Sequence, residues 1–201
     1  MDVFETIKAR RAVKHFDPEH ELSAEETQTI FDMALQSPTS FNIQHWRFVH
    51  VTHPETRQAI RAAAWDQAQI TEASMLLVLC ADLNAWDKNP ERYWQNAPRE
   101  AQDILVPMIK PFYKDKTELQ RDEAMRSVGI AAQSIMLTAK GLGYDSCPMI
   151  GFDQNAVAEI IKLPSDHTIG MIITIGKGIK PAWPKPGQLE QKAVVIENTF
   201  S

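Results

Sequence analysis
Residues 123–140 read EAMRSVGIAAQSIMLTAK, and no other stretch limits the fold as much. Apolar or small side chains lie on nearly every side of the helix this run forms. Such a helix has to be central and covered by its neighbours. Gly141 and Gly143 end it, because glycine takes the backbone conformation that closes a helix. The covering elements are legible too. Met75–Cys80 (MLLVLC) and Ile169–Ile175 (IGMIITI) are short apolar runs that read as buried strands, with further strands expected at Trp46–Val51 and Tyr144–Cys147. Residues 2–9 form a short helix with Val3, Phe4 and Ile7 on one side. Ser23 followed by Glu26 is a capping box, and Ile30, Phe31, Ala34 and Leu35 recur behind it at helical spacing until Pro38 stops the helix. Residues 54–64 and 154–161 are also helical in pattern. With 201 residues, 44% of them hydrophobic, the chain can bury a core without staples. It reads as one layer-packed domain, 1–201, of mixed α and β structure.

Two segments depart from this regularity. Residues 85–122 hold Trp86, Tyr93, Trp94, Phe112 and Tyr113 among prolines and charges, and read as irregular surface helices. The tail from Lys177, ending in AVVIENTF, reads as extended and needs something to lie on. No apolar signal core or membrane-length run occurs, and the two cysteines, Cys80 and Cys147, form no disulfide framework. A soluble cytoplasmic protein is expected, and the net charge of −5 argues against a nucleic-acid partner.

The chemistry sits in a few places. Lys8, Arg10, Arg11 and Lys14 concentrate positive charge in an acidic protein. On charge alone they fit best a solvated helix end, where cations favour the dipole, and after that a phosphate clamp. The stretch SPTSFNIQHWRF at 37–48 is too long and too rich in hydroxyls and amides for an ordinary connector. CPMIGFD at 147–153 fits a strand-to-helix turn capped by Asp153, and also a turn whose backbone meets a planar ligand. Other classes fall away. GLGYDS and GKGIKP lack the third glycine of a nucleotide loop. His50 and His53 do not share a helix face, so no metal site is expected. No G-x-S-x-G elbow occurs. Cys147 reads as a core thiol or, less favoured, a nucleophile.

ARRAVKHF, SPTSFNIQHWRF, AKGLGYDSCPMIGFD and the proline-rich basic tail, in that order, resemble the FMN-dependent nitroreductase family over essentially the whole chain. The resemblance is nearest to its short bacterial branch of NAD(P)H nitroreductases and quinone reductases. It implies an α+β sandwich with a central, mostly antiparallel mixed sheet flanked by helices. It also implies an intertwined homodimer whose C-terminal arm, 177–201, is exchanged onto the partner's sheet. Non-covalent FMN would lie at the dimer interface. Arg10, Arg11, Lys14 and the backbone at Ala12 would hold it from one subunit, and Pro38, Thr39, Ser40, Asn42 and Gln44 from the other. Pro148, Met149, Ile150 and Gly151 would follow one ring edge, Gln67 and Gln69 would reach the pyrimidine, and Lys185 would add a phosphate contact. Phe41, Trp94 and Phe112 would meet the electron acceptor. The implied reaction is ping-pong transfer of a hydride from NAD(P)H to nitroaromatics or quinones, with no catalytic side chain and no metal. A flavin-handling role on the same scaffold is the alternative, and a thiol enzyme using Cys147 the more distant one. Three positions depart from the family: Ala12 where serine is common, His45 where proline is common, and Gly187 near which a second basic residue is common.

Overall fold
A computed structural model describes residues 1–200. In chain order its elements are α1 (Val3–Ala9), α2 (Ala24–Leu35), β1 (Trp46–His50), α3 (Pro54–Ala63), α4 (Gln69–Glu72), β2 (Met75–Asp82), α5 (Arg99–Tyr113), α6 (Thr117–Gly141), β3 (Asp145–Met149), α7 (Gln154–Ile160), β4 (His167–Gly176) and α8 (Gln191–Val194). The sheet order is β1-β2-β4-β3, with every neighbouring pair antiparallel. The parallel component expected of a mixed sheet is confined to an isolated bridge between Ala12 and Ser146.

β2 is buried along its whole length because it has a helical layer on each face. Alternate side chains point to opposite faces. Met75, Leu77 and Leu79, with Ile173 and Ile175 of β4, meet Ile30, Val128, Ala131 and Ile135 of α2 and α6. Leu76, Val78 and Cys80, with Cys147 and Met149 of β3, meet Ile60 of α3 and Val157 of α7. The two cores share the sheet as a common wall.

α6 starts six residues before the expected run and buries one face, lined by the small residues Ala124, Ala131, Ala132 and Ala139. Its opposite side is open in the protomer, where Ile130 is 43% exposed, so the expectation of cover all round is not met by one chain. The helix closes through Gly143 at φ 94°: the N–H of Tyr144 bonds to Ala139 O at 2.9 Å and that of Gly143 to Lys140 O at 3.0 Å. This paired closure satisfies carbonyls that a helix end otherwise leaves free. The strand that follows runs on through Pro148 and Met149, past the expected end at Cys147. Its position at the sheet edge tolerates a proline, which needs no ladder partner on the outer side.

The 85–122 segment is more regular than its prolines suggest. It contains the fifteen-residue α5, with Pro107 and Pro111 inside it. Each proline lacks an N–H, so the carbonyls of Asp103 and Pro107 lose their usual helical partners. Amphipathic burial of Ile109 and Tyr113 holds the helix despite this. The tail differs as well: part of the expected extended AVVIENTF forms the single turn α8, and the tail from Trp183 onward is exposed. Val3, Phe4 and Ile7 do share one side of α1, yet all three are exposed. Among the described residues no helix is long and apolar enough to cross a membrane.

Candidate functional site
The chain leaves α1 at Arg10 with an extended backbone and runs along the outer edge of β3. Val13 N–H bonds to Ser146 O at 3.0 Å, and Ile179 N–H bonds to His15 O at 3.0 Å. These bonds hold residues 10–16 between β3 and the start of the tail. Arg10 and Lys14 come close enough to Cys147 to act on its thiol. Neither they nor Arg11 forms an ion pair with a carboxylate among the described residues. Arg11 instead donates to the carbonyl of Trp183, which ties the tail to this edge. Lys185 lies two residues further along, exposed.

Beside the cations lies the turn at Met149–Gly151. Gln67 donates its amide to Gly151 O at 2.8 Å, while Gln69 donates to Gln67 Oε1 at 3.1 Å and approaches Met149 Sδ at 3.7 Å. Both glutamines thus help to order the turn. Ile150 projects outward, 74% exposed. Gly151 lets a neighbour approach closely: a Cβ there would come within 2.5 Å of Trp65 Cζ3, and the indole would have to shift. Trp65 and Asp66 both adopt left-handed backbone, at φ 55° and 54°, and Arg61 anchors Asp66 through a 2.6 Å ion pair. This puts a large, mostly exposed indole over the turn. Nothing in the sequence marked Trp65, because a tryptophan carries no local signal for positive φ.

The stretch 38–44 builds a second cluster. Gln44 N–H bonds to Thr39 Oγ1 at 3.0 Å, and Phe41, Asn42 and Gln44 all take left-handed backbone. Asn42 donates to Tyr93 O at 2.8 Å, and Trp94 Nε1 donates to Phe41 O at 3.0 Å. The Phe41 ring lies 5.4 Å from Phe112 and 6.2 Å from Tyr113. Phe41, Trp94 and Phe112 are therefore brought together, roofed by α5. His45 turns inward and is wholly buried, so it does not present a polar ring to this surface.

These two clusters sit at opposite edges of the sheet, one leading into β1 and one along β3. Three inter-strand gaps separate those edges, about 14 Å. Among the described residues no hydrogen bond or ion pair joins residues 38–44 to Arg10, Arg11, Lys14, Gln67, Gln69 or the Met149–Gly151 turn.

Other chemistries find little support. Burial pushes the Cys147 thiol up, more than Arg10 and Lys14 pull it down, and burial alone drives Cys80 to about 12. Neither is a ready thiolate. Asp82, Asp166 and His167 offer ligand atoms within 4.8 Å of one another. Lys88 already supplies the cation there, with Nζ 2.9 Å from both Asp82 oxygens and 2.6 Å from Asp166 Oδ2.

A family model described as the nitroreductase family matches residues 7–177. Protein DrgA of Synechocystis sp. is 56% identical over 182 residues, 90% of this chain and 87% of that protein. A Bacillus subtilis protein named "Putative NAD(P)H nitroreductase YodC" is 30% identical over 186 residues, 90% of this chain and 92% of its own length. A crystal structure from Exiguobacterium sibiricum, described as a "putative nitroreductase in complex with FMN", superposes with a TM-score of 0.90 at 26% identity, covering 98% of this chain and 97% of that one.

Proposed function
The chain belongs to the nitroreductase family, and we propose that it is an FMN-dependent oxidoreductase that works as a homodimer and oxidises NAD(P)H. The observation that carries this reading is the run Arg10, Arg11 and Lys14. Three cations without carboxylate partners among the described residues, in a protein of net charge −5, line an edge beside a turn that packs without a Cβ. That donor set fits a phosphate-bearing, planar cofactor: guanidinium and ammonium groups for the phosphate, backbone for the ring.

Arg10, Arg11 and Lys14 hold the phosphate, ribityl and pyrimidine edges of FMN, with Lys185 as a further phosphate contact. Pro148, Met149, Ile150 and Gly151 present their backbone to one ring edge, kept in shape by Gln67 and Gln69. Bound FMN supplies the hydride chemistry, taking a hydride from NAD(P)H and giving it to an acceptor. The side chains orient the two substrates and favour negative charge near the pyrimidine, a task for Lys14. Pro38, Thr39, Ser40, Asn42 and Gln44 close the site from the partner. The 14 Å gap within one chain is the reason that a second copy is needed. Exposed Phe4, Trp183, Leu189 and Phe200 supply apolar surface for that contact, which in obligate dimers reaches about 2,000–5,000 Å². Phe41, Trp94 and Phe112, joined by Trp65, exclude water and stack flat, electron-poor acceptors such as nitroaromatics or quinones. One shared face serves donor and acceptor in turn, which is ping-pong kinetics.

The test is direct. Purified protein should show oxidised-flavin absorption, run as a dimer in light scattering, and consume NAD(P)H with parallel double-reciprocal plots against a quinone. Protein that neither carries nor takes up FMN would sink the reading. Tight FMN without turnover of any acceptor would point to flavin handling instead.

A further inference from the structure
Among the described residues, five buried side-chain polar atoms lack a protein partner: His45 Nε2, Trp46 Nε1, Trp86 Nε1, Tyr113 Oη and Thr174 Oγ1. Three of them belong to rings packed together under α5. The Tyr113 ring meets His45 edge-on at 6.4 Å and lies nearly parallel to Trp86 at 6.2 Å. His45 and Tyr113 are wholly buried and Trp86 is 7% exposed. Interiors rarely leave such groups unpaired, so three in one cluster call for a shared partner.

The hydrogen-bond inventory narrows that partner. Ser127 Oγ lies 2.9 Å from Glu123 O and 3.1 Å from His45 Nδ1, and has one proton to give. With that proton on the Glu123 carbonyl, the usual bond of a serine inside a helix, Nδ1 carries the ring proton and Nε2 is a bare acceptor. Burial keeps the ring neutral, holding its pKa down at about 4. Tyr113 and Trp86 contribute an O–H and an N–H donor. One acceptor and two donors are the complement of a single water. We propose that a buried water is bound here as a structural ligand, donating to His45 Nε2 and accepting from Tyr113 Oη and Trp86 Nε1. Three protein partners is the usual number for an internal water.

Ser40 approaches the Tyr113 phenol without closing a full hydrogen bond, and its hydroxyl can turn towards the lone pair that the water leaves free. The polar chain then runs from Ser40 through Tyr113, the water and His45 to Ser127, and stops at the Glu123 carbonyl. A carbonyl end cannot take a proton onward, so the chain orients groups and does not conduct. What it orients is Tyr113, against which Phe41 and Phe112 pack at 6.2 and 5.0 Å. The water site stands whatever ligand the protein takes. Its influence on an acceptor rests on the function proposed above.

The experiment is a crystal structure of the protein as purified, at a resolution that shows ordered water, together with nitrogen NMR of its histidines. Density within hydrogen-bond reach of His45 Nε2 and Tyr113 Oη, and a proton on His45 Nδ1, are the expected results. In solution, Tyr113→Phe and Trp86→Phe should each lower the denaturation midpoint. The double variant should lose less than the sum, because the second change acts on a water already weakened. A dry space, a direct His45–Tyr113 bond, or a proton on Nε2 would overturn the proposal. The wild-type measurements decide even where a variant fails to fold. Flavin absorbance of the same samples judges the function separately.

Discussion
The two edges of the sheet are built on opposite principles. At the β1 edge, the 38–44 stretch meets its own chain's α5 and the 85–94 turns. Asn42 finds Tyr93, Trp94 finds Phe41, and the rings close on one another. At the β3 edge, Arg10 and Lys14 form no ion pair among the described residues, and Ile150 and Trp65 face outward. One edge closes on its own chain, and the other leaves its cations without an ion pair among the described residues. In a divided site, the finished half can therefore serve as a wall and the unfinished half as a grip.

That contrast can be broken by moving side chains one edge at a time. The largest effect is expected from Tyr113→Ala at the finished edge. Removing a wholly buried aromatic ring should cost about 3–5 kcal/mol of stability in urea unfolding. An unchanged midpoint would mean that this edge is not self-supporting. Arg10→Ala should do the reverse: no change in circular dichroism or midpoint, but a loss of about 1.5–3 kcal/mol in FMN binding, roughly one to two decades by fluorescence titration. Unaltered affinity would move the phosphate elsewhere, with Lys185 the next candidate.

Acid should act on the finished edge as well. His45 has its pKa lowered to about 4 from 6.5 by burial. Its neutral form contributes stability that is fully present above about pH 6.5 and is lost as pH falls towards 4, because the unfolded chain binds the proton first. Between pH 8 and 5 this single ring should remove about 2 kcal/mol. His50, lowered by burial and then by Arg57, adds in the same direction. Comparing urea midpoints for wild type and His45→Gln across that range isolates the His45 share. A parallel pair of curves would contradict it. The smallest effect is expected at Cys147, which borders the unfinished edge but faces the core. Cys147→Ser should keep FMN and most of the NAD(P)H-dependent rate, at a cost of about 1 kcal/mol for the buried hydroxyl. A loss of roughly a thousandfold in rate with FMN retained, about 4 kcal/mol in the barrier, would restore a thiol mechanism.

The same contrast explains what could be read from the sequence. The core of the finished structure was legible wherever periodicity reflects burial: the α6 run, the two apolar strands, and the Ser23–Glu26 box, closed at 2.8 and 3.1 Å. α5 was obscured by its prolines, since burial of Ile109 and Tyr113 is a tertiary effect that propensity does not register. The exposed side of α6 and the turn within AVVIENTF are set by tertiary surroundings, which the local pattern does not specify. At the site, the cations were visible as a local excess of charge, but their proximity to the Met149–Gly151 turn is set by the Ala12–Ser146 bridge, a long-range pairing with no local signature. Trp65 and the inward turn of His45 were hidden for the same reason.

The two prolines inside α5 have a kinetic consequence. A helix missing two of its internal bonds opens at lower free energy than the uninterrupted α6 beside it. In deuterium exchange, amides of α5 should therefore label well before those of α6, and labelling should begin near Asp103 and Pro107, whose carbonyls lack helical partners. The roof over Phe41 thus opens more often than the α6 helix beside it. Under the proposed function, the rate at which it reopens would set an upper limit on how fast a bulky flat acceptor comes and goes beneath it.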